Sequence, residues 1–187
     1  MPRWNPDPQE RLVTAAVELF RQHGYDSVTV TDIAEKAGLT RRSFFRHFSD
    51  KREVLFAGSR MNMPGITRAV EEYAPEVTAR DAVMGALAQV GDYLLADPAA
   101  QALRQDLIDS SPELQERERT KLADMAAALA AGLILRGVPP ADAHSIGTFS
   151  AGIFHSAYVR ILRNEVPGSF SDQLQASAAV VARFLTE

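Results

Sequence analysis

The stretch Thr29-Val30-Thr31-Asp32-Ile33-Ala34-Glu35-Lys36-Ala37-Gly38-Leu39-Thr40-Arg41-Arg42-Ser43-Phe44-Phe45-Arg46-His47-Phe48 decides how the rest of this 187-residue chain is read. Thr29, with Asp32 three residues on, has the spacing of a capping box. Ile33, Ala34 and Ala37 then face inward, and Gly38 stops a helix of barely two turns. Thr40 caps a second short helix, Arg41 to Phe48. Two short helices joined by Gly38-Leu39-Thr40 have the loop length and the glycine of a helix-turn-helix, whose second helix enters the major groove of DNA. On that second helix Phe44 and Phe48, four residues apart, share one direction, while Arg42, Ser43 and Arg46 point nearly the opposite way. Phe45 and His47 lie on the flanks. A helix anchored by two phenylalanines and presenting Arg-Ser-Arg outward carries the donors that guanine edges and phosphates accept. On spacing alone, a solvated charged face stays open as the alternative.

Charge supports a local rather than a global DNA surface. The net charge is −4, unlike the basic balance of a protein that coats nucleic acid throughout. Residues 1–60 hold 10 Lys/Arg against 8 Asp/Glu, whereas 61–187 hold 10 against 16, so a mildly basic head precedes an acidic body. Arg41, Arg42, Arg46, Lys51 and Arg52 fall within twelve residues, opposed only by Asp50, and phosphate contacts need that local density.

Every strong periodicity in the chain is helical. Before the decisive stretch, Leu12, Ala16 and Leu19 with Val13, Val17 and Phe20 form one apolar stripe between Asp7 and Gly24. After it, a helix is expected from Lys51 towards Met63, interrupted or kinked by Pro64-Gly65. Further on, Asp97 and Ser111 each precede a proline and are expected to cap helices that have proline at their first position. Helical spacing continues through Val83–Leu94, Leu122–Leu133 and Leu174–Leu185. In 141–163, Ile146, Phe149, Ile153, Ala157 and Ile161 fill one face while Phe154, Tyr158 and Leu162 fill another, so this helix must be buried on more than one side. The expected fold is all-α: an N-terminal three-helix helix-turn-helix domain over 1–56, followed by a larger helical domain over 57–187.

The residues Leu19-Phe20, Gly24-Tyr25, Thr29-Val30, Ile33-Ala34, Ala37-Gly38-Leu39-Thr40, Phe44-Phe45, His47-Phe48 and Lys51 together resemble the N-terminal DNA-binding domain of TetR-family transcriptional regulators. The resemblance covers residues 8–56. It implies that Arg41, Arg42, Ser43 and Phe45 approach bases or sugar-phosphate in the groove, and that Thr31, Thr40, His47 and Lys51 clamp the backbone. The helical wheel adds Arg46 to the outward donors. Two positions depart from the family pattern: Arg42 stands where glycine is frequent and adds a long donor, and Phe45 stands where tyrosine is usual and lacks its hydroxyl. Trp4, ahead of the first helix, either covers the head's core or extends as an arm, and Tyr25 packs the turn between the first two helices.

A palindromic operator needs two heads about one helical turn apart, ~34 Å. The resemblance therefore implies a homodimer. Its contact is expected from helices 141–163 and 169–186, where Gly147, Ala151, Gly152, Ala178 and Ala179 permit close approach. Val90, Tyr93, Leu94, Leu107, Phe149, Phe154 and Tyr158, with His155 as a polar group, are candidates to line a cavity for a small apolar or amphipathic effector. Repression is the family's common mode, so release from DNA by that effector is the expected mechanism.

Other function classes find little support. Thr148-Phe149-Ser150-Ala151-Gly152 nearly spells a nucleophile elbow, but it begins with threonine and follows no strand, so no catalytic residue is assigned. His23, His47, His144 and His155 form no i, i+4 pair, and no metal or other cofactor is expected. With no cysteine there is no disulfide and no sign of an oxidising compartment. The longest apolar stretch, Met125 to Leu135, is too short to cross a bilayer, and the N-terminus lacks the apolar core of a signal peptide. The expected setting is cytoplasmic, without membrane contact. The competing reading is a helical small-molecule-binding or scaffold protein whose head has lost DNA binding, which gives no reason for Arg41, Arg42, Arg46 and Lys51.

Overall fold

The computed structural model describes residues 7–57, 63–163 and 168–186. Trp4, and with it the expected arm or cover, lies outside them. Among the described residues there are ten helices and no strand: α1 (Pro8–His23), α2 (Val30–Lys36), α3 (Arg41–His47), α4 (Glu53–Phe56), α5 (Met63–Glu71), α6 (Ala79–Leu94), α7 (Pro98–Asp109), α8 (Pro112–Leu135), α9 (Pro140–Leu162) and α10 (Phe170–Thr186). The chain is all-α, with an N-terminal helix-turn-helix domain and a helical C-terminal domain.

Two compact units divide it: Met1–Arg60 with Asp106–Arg117, and Met61–Gln105 with Glu118–Glu187. The first contains the helix-turn-helix. Leu12, Ala16 and Phe20 of α1, Ile33 and Ala34 of α2, and Phe44 and Phe48 around α3 close over one core, as their spacing predicts. The sequence reading ends this unit near residue 56. In the structure Leu107, Ile108 and Leu114 also enter its core, Ile108 and Leu114 with no exposed surface, each contributing roughly 1.5–3 kcal/mol of burial. Ion pairs join the same segment to α4 and its approach: Arg52 Nε lies 3.5 Å from Glu113 Oε1, and Arg117 bonds Glu53. Leu107, expected from the sequence to line a cavity, is instead a core residue of this unit, because local spacing does not say which core receives a leucine.

Local caps explain where the short helices begin. Thr29 Oγ1 accepts from Asp32 N at 3.2 Å while Asp32 Oδ2 accepts from Thr29 N at 2.8 Å, so the capping box is formed on both sides. Thr40 Oγ1 accepts from Ser43 N at 3.0 Å and starts α3. Asp50 Oδ1 accepts from Arg52 N at 2.8 Å and Glu53 N at 3.2 Å, which starts α4. The expected helix from Lys51 to Met63 is much shorter, since α4 ends at Phe56. Pro64 is the second residue of α5 rather than a kink, a place where its missing N–H leaves no helical bond unmade.

The second unit packs α5, α6, most of α8, α9 and α10 around Val83, Leu87, Met125, Leu129, Leu133, Phe154 and Leu174. Asp97 caps as expected, its Oδ1 accepting from Ala100 N at 3.0 Å. Ser111 sits where expected before Pro112, but its buried hydroxyl makes no bond to α8. Helices α8 and α9 touch at Gly147, where a Cβ would come within 2.4 Å of the Ala126 carbonyl oxygen. Only glycine allows that approach. Arg136 ties down the end of α5 and the turn after it, donating to the carbonyls of Tyr73 and Val77, each at 2.6 Å. Among the described residues no helix is long and apolar enough to cross a membrane.

Candidate nucleic-acid interface

Helix α3 is held from beneath by Phe44, which has no exposed surface, and by Phe48, their ring centroids 5.3 Å apart. A phenylalanine so enclosed loses about 3–5 kcal/mol on truncation to alanine, so the helix has one stable rotational setting. That setting leaves Arg41, Arg42 and Arg46 exposed, with Ser43 and His47 half-buried on the edges. Among the described residues none of the three arginines has an ion-pair partner. Their donors are therefore available to acceptors outside the chain.

Phe45 is 45% exposed, and the Arg41 guanidinium carbon lies 5.1 Å from its ring centroid. This cation–π contact restrains Arg41 next to an apolar surface suited to a thymine methyl or a sugar face. The Ser43 hydroxyl is 3.0 Å from Thr40 Oγ1, so Thr40 and Ser43, both candidates for the interface, also serve the start of the helix. Thr31 is exposed on the first turn of α2.

Lys51 is placed differently from a free clamp. Its ammonium donates to the carbonyls of Tyr25 at 2.8 Å and Val28 at 3.0 Å and sits 3.9 Å from the Tyr25 ring centroid. Two of its three N–H groups thus hold the turn between α1 and α2, which leaves one for a phosphate. Beside it, the Arg52 guanidinium hydrogen-bonds Asp50 Oδ2 at 2.8 Å and holds that carboxyl below its ordinary range.

The eight residues expected to line an effector cavity do not come together in one. Leu94, Phe154 and Tyr158 are core residues, with Phe154 and Tyr158 stacked at 5.9 Å and Phe170 edge-on to Phe154 at 5.2 Å. Val90 is half-buried against that core. Leu107 belongs to the other unit's core, while Tyr93 is 65% and Phe149 58% exposed. His155 is half-buried in a groove of 430 Å³ between α8 and α9, with His144, Leu122, Ala126 and Thr148. Helical spacing marks an apolar face, but it does not distinguish a filled core from a vacant one or from an outward patch.

A polar knot escaped the sequence reading. The Tyr158 hydroxyl donates to Gln101 Oε1 at 2.9 Å, and Gln105 Nε2 donates to Glu118 Oε2 at 3.4 Å. Arg104 hydrogen-bonds Tyr158 and faces Glu118. Burial pushes the Tyr158 phenol up to about 12 and lowers Arg104. The available signal was Gln101, Arg104 and Gln105 at i, i+3 and i+4, three long polar side chains on one side of α7.

The near-elbow at Thr148–Gly152 lies wholly inside α9, with Ser150 buried and the Thr148 hydroxyl donating to the His144 carbonyl at 2.9 Å. It has neither the strand nor the sharp turn that exposes a nucleophile.

Comparison with known proteins agrees with the head's geometry. The sequence profile of the family described as "Bacterial regulatory proteins, tetR family" matches residues 12–57. A protein of Mycobacterium tuberculosis named MftR, for transcriptional regulation of mycofactocin biosynthesis, is 28% identical over 169 residues, covering 89% of this chain and 85% of its own. Other curated regulators match over a shorter stretch, TcmR of Streptomyces glaucescens over 46 residues at 46% identity, 25% of this chain and 20% of its own. Among solved structures, the repressor FadR of Thermus thermophilus in complex with lauroyl-CoA superposes with a TM-score of 0.58 at 21% identity, over 93% of each chain. The SmeT–triclosan complex superposes with a TM-score of 0.60 at 17% identity, over 92% of this chain and 90% of that one. At those identities the likeness is one of fold.

Proposed function

Because the chain is a TetR-family transcriptional regulator and not an enzyme, we propose that it works in the cytoplasm as a homodimeric repressor, reading a palindromic operator through α3 and released by a small effector. The observation that carries the reading is the pairing of a buried Phe44–Phe48 anchor with exposed Arg42 and Arg46 on the opposite side of the same short helix and exposed Arg41 at its start, none of the three with an ion-pair partner among the described residues. Arg42 and Arg46 supply base-edge and phosphate donors, Arg41 with Phe45 a combined cationic and apolar contact, and Thr31, Thr40, Ser43, His47 and Lys51 the surrounding backbone contacts.

Pairing of two chains is supported by an apolar strip on α9 and α10. Phe149, Val180, Phe184 and Leu185 are all more than half exposed, and Phe149 and Val180 border a groove of 320 Å³ with Gly152, Ile153, Ser177 and Val181. A surface of this kind matches itself about a two-fold axis, as an isologous contact requires. In the body, an apolar or amphipathic effector would enter by parting the Phe154–Tyr158 stack, with its polar end on the Gln101–Arg104–Tyr158 knot. The lauroyl-CoA and triclosan bound by the two similar folds are ligands of those proteins, and they support the general class of an apolar or amphipathic effector. An effector releases DNA only in so far as it binds the non-binding conformation more tightly.

Electrophoretic retardation of DNA flanking the chain's own coding region, across a salt series, tests the proposal. A discrete complex that weakens steeply with salt and survives excess random DNA is expected. Equal retention of random and flanking DNA would remove the operator-reading role.

A further inference from the structure

Beyond the residues on α3, we propose that Arg11 of α1 is a positioning residue for operator reading. It rests on the DNA-binding proposal above, and it concerns the angle at which α3 is offered rather than a contact with DNA. Arg11 is half-buried, and its Nη2 donates to the carbonyl of Ala37 and, at 3.5 Å, lies by that of Gly38. Those two carbonyls end α2 and form the turn; Thr40, which starts α3, follows two residues after Gly38.

The turn already spends its backbone donors inward, Gly38 N on Glu35 O at 2.9 Å and Leu39 N on Ala34 O at 2.8 Å. Its carbonyls face outward, at the negative end of α2, where a cation is favoured. The guanidinium thereby links α1 to the joint between α2 and α3. The Lys36–Glu18 ion pair, 3.0 Å, braces the same α1–α2 cleft. Gly38 has a φ of +66°, and a Cβ there would come within 2.8 Å of Arg11 Nη2. The guanidinium is the far end of a flexible side chain and would yield, so a methyl at 38 would displace it from Ala37. Arg11 and Gly38 are thus one device: the bare turn admits the guanidinium, and the guanidinium fixes the turn.

The test uses the full chain and a duplex that the wild-type protein enriches from a random-sequence pool, with one unselected duplex as reference. For Arg11→Ala, loss of a charge-assisted bond should lower the ratio of selected to unselected affinity about tenfold. Affinity for the unselected duplex, its salt slope and the helical signal should stay near wild type. Arg11→Lys, which keeps one donor and the charge, should recover part of the ratio. Gly38→Ala should lower the ratio too, and the Arg11→Ala/Gly38→Ala double variant should read like Gly38→Ala alone, because both remove the same bond. An unchanged ratio in Arg11→Ala, an equal loss on both duplexes, or additive losses in the double variant would each overturn the role given to Arg11. If the wild-type chain enriches no duplex, the DNA-binding proposal itself falls and this inference with it.

Discussion

At the scale of single residues, exposure and hydrogen bonding separate two kinds of cation that look alike in the sequence. Arg42 is exposed with no ion-pair partner among the described residues, so its substitution should act on DNA alone. Arg42→Ala should cost about 1–3 kcal/mol on the operator, relax one base position and leave the melting temperature unchanged. Binding to a panel of single-base operator variants measures this, and a uniform loss across the panel would assign Arg42 to phosphate instead. Lys51 behaves otherwise because its ammonium already holds the carbonyls of Tyr25 and Val28. Lys51→Ala should lower the melting temperature of the head by several degrees, in keeping with loss of charge-assisted bonds worth about 1.5–3 kcal/mol. It should also weaken operator and random DNA alike, with a salt slope reduced by at most about one unit. A Lys51→Ala protein with unaltered melting would return Lys51 to the role of a plain phosphate clamp.

At the scale of elements, the head's short helices depend on their caps, and the cap of α4 responds to pH. The Asp50 carboxylate starts α4 and pairs with Arg52, whose hydrogen bond holds the Asp50 pKa below its ordinary value. A carboxyl lowered in the folded state stabilises it fully above the ordinary value, about 3.9, and loses that contribution as pH falls through the lowered one. Asp50→Asn keeps a capping oxygen but removes the charge. It should cost about 1 kcal/mol at pH 7, and the gap from wild type should be narrower at pH 3, below the ordinary carboxylate value of about 3.9. Urea unfolding at the two pH values measures both quantities, and a gap that stays constant would show that the charge contributes nothing.

These caps were legible because each is a contact between residues three positions apart: Thr29 with Asp32, Thr40 with Ser43, Asp97 with Ala100. The exposure of Arg42 and Arg46 was legible for a related reason, since seven residues of helix fix which side a buried Phe44 leaves outward. The effector residues were not. Whether Phe154 lines a cavity or fills a core depends on Phe170 and Tyr158 arriving beside it, and Leu107 enters the core of α1–α4 across some fifty residues of chain. Those outcomes are set by long-range packing, which spacing along one helix does not encode. Arg11 belongs to the same class: on α1 it reads as one more polar residue between apolar ones, and its partners lie 26 and 27 residues away.

At the scale of the whole molecule, two chains can do what one cannot. On the proposed operator the seven-residue α3 would contact only a few base pairs, so register on a palindrome would have to come from a second head tied to the first. Phe149 and Val180, 58% and 52% exposed, contribute little to their own fold but stand at the centre of the apolar strip proposed for pairing. Phe149→Asp with Val180→Asp should therefore leave the helical signal intact while changing the sedimenting mass from twice the 20.4 kDa chain to once. Four like charges brought together about a two-fold axis oppose the contact directly. Once pairing is lost, the second head no longer binds at the high effective concentration of a tethered site, and operator affinity should fall by about a hundredfold or more. The salt slope should fall by about half, because half the phosphates are contacted, whereas a dimer weakened only in its base contacts would keep the slope. A wild-type chain that sediments at 20.4 kDa at micromolar concentration, or a doubly substituted chain that still pairs, would place the contact elsewhere or remove it.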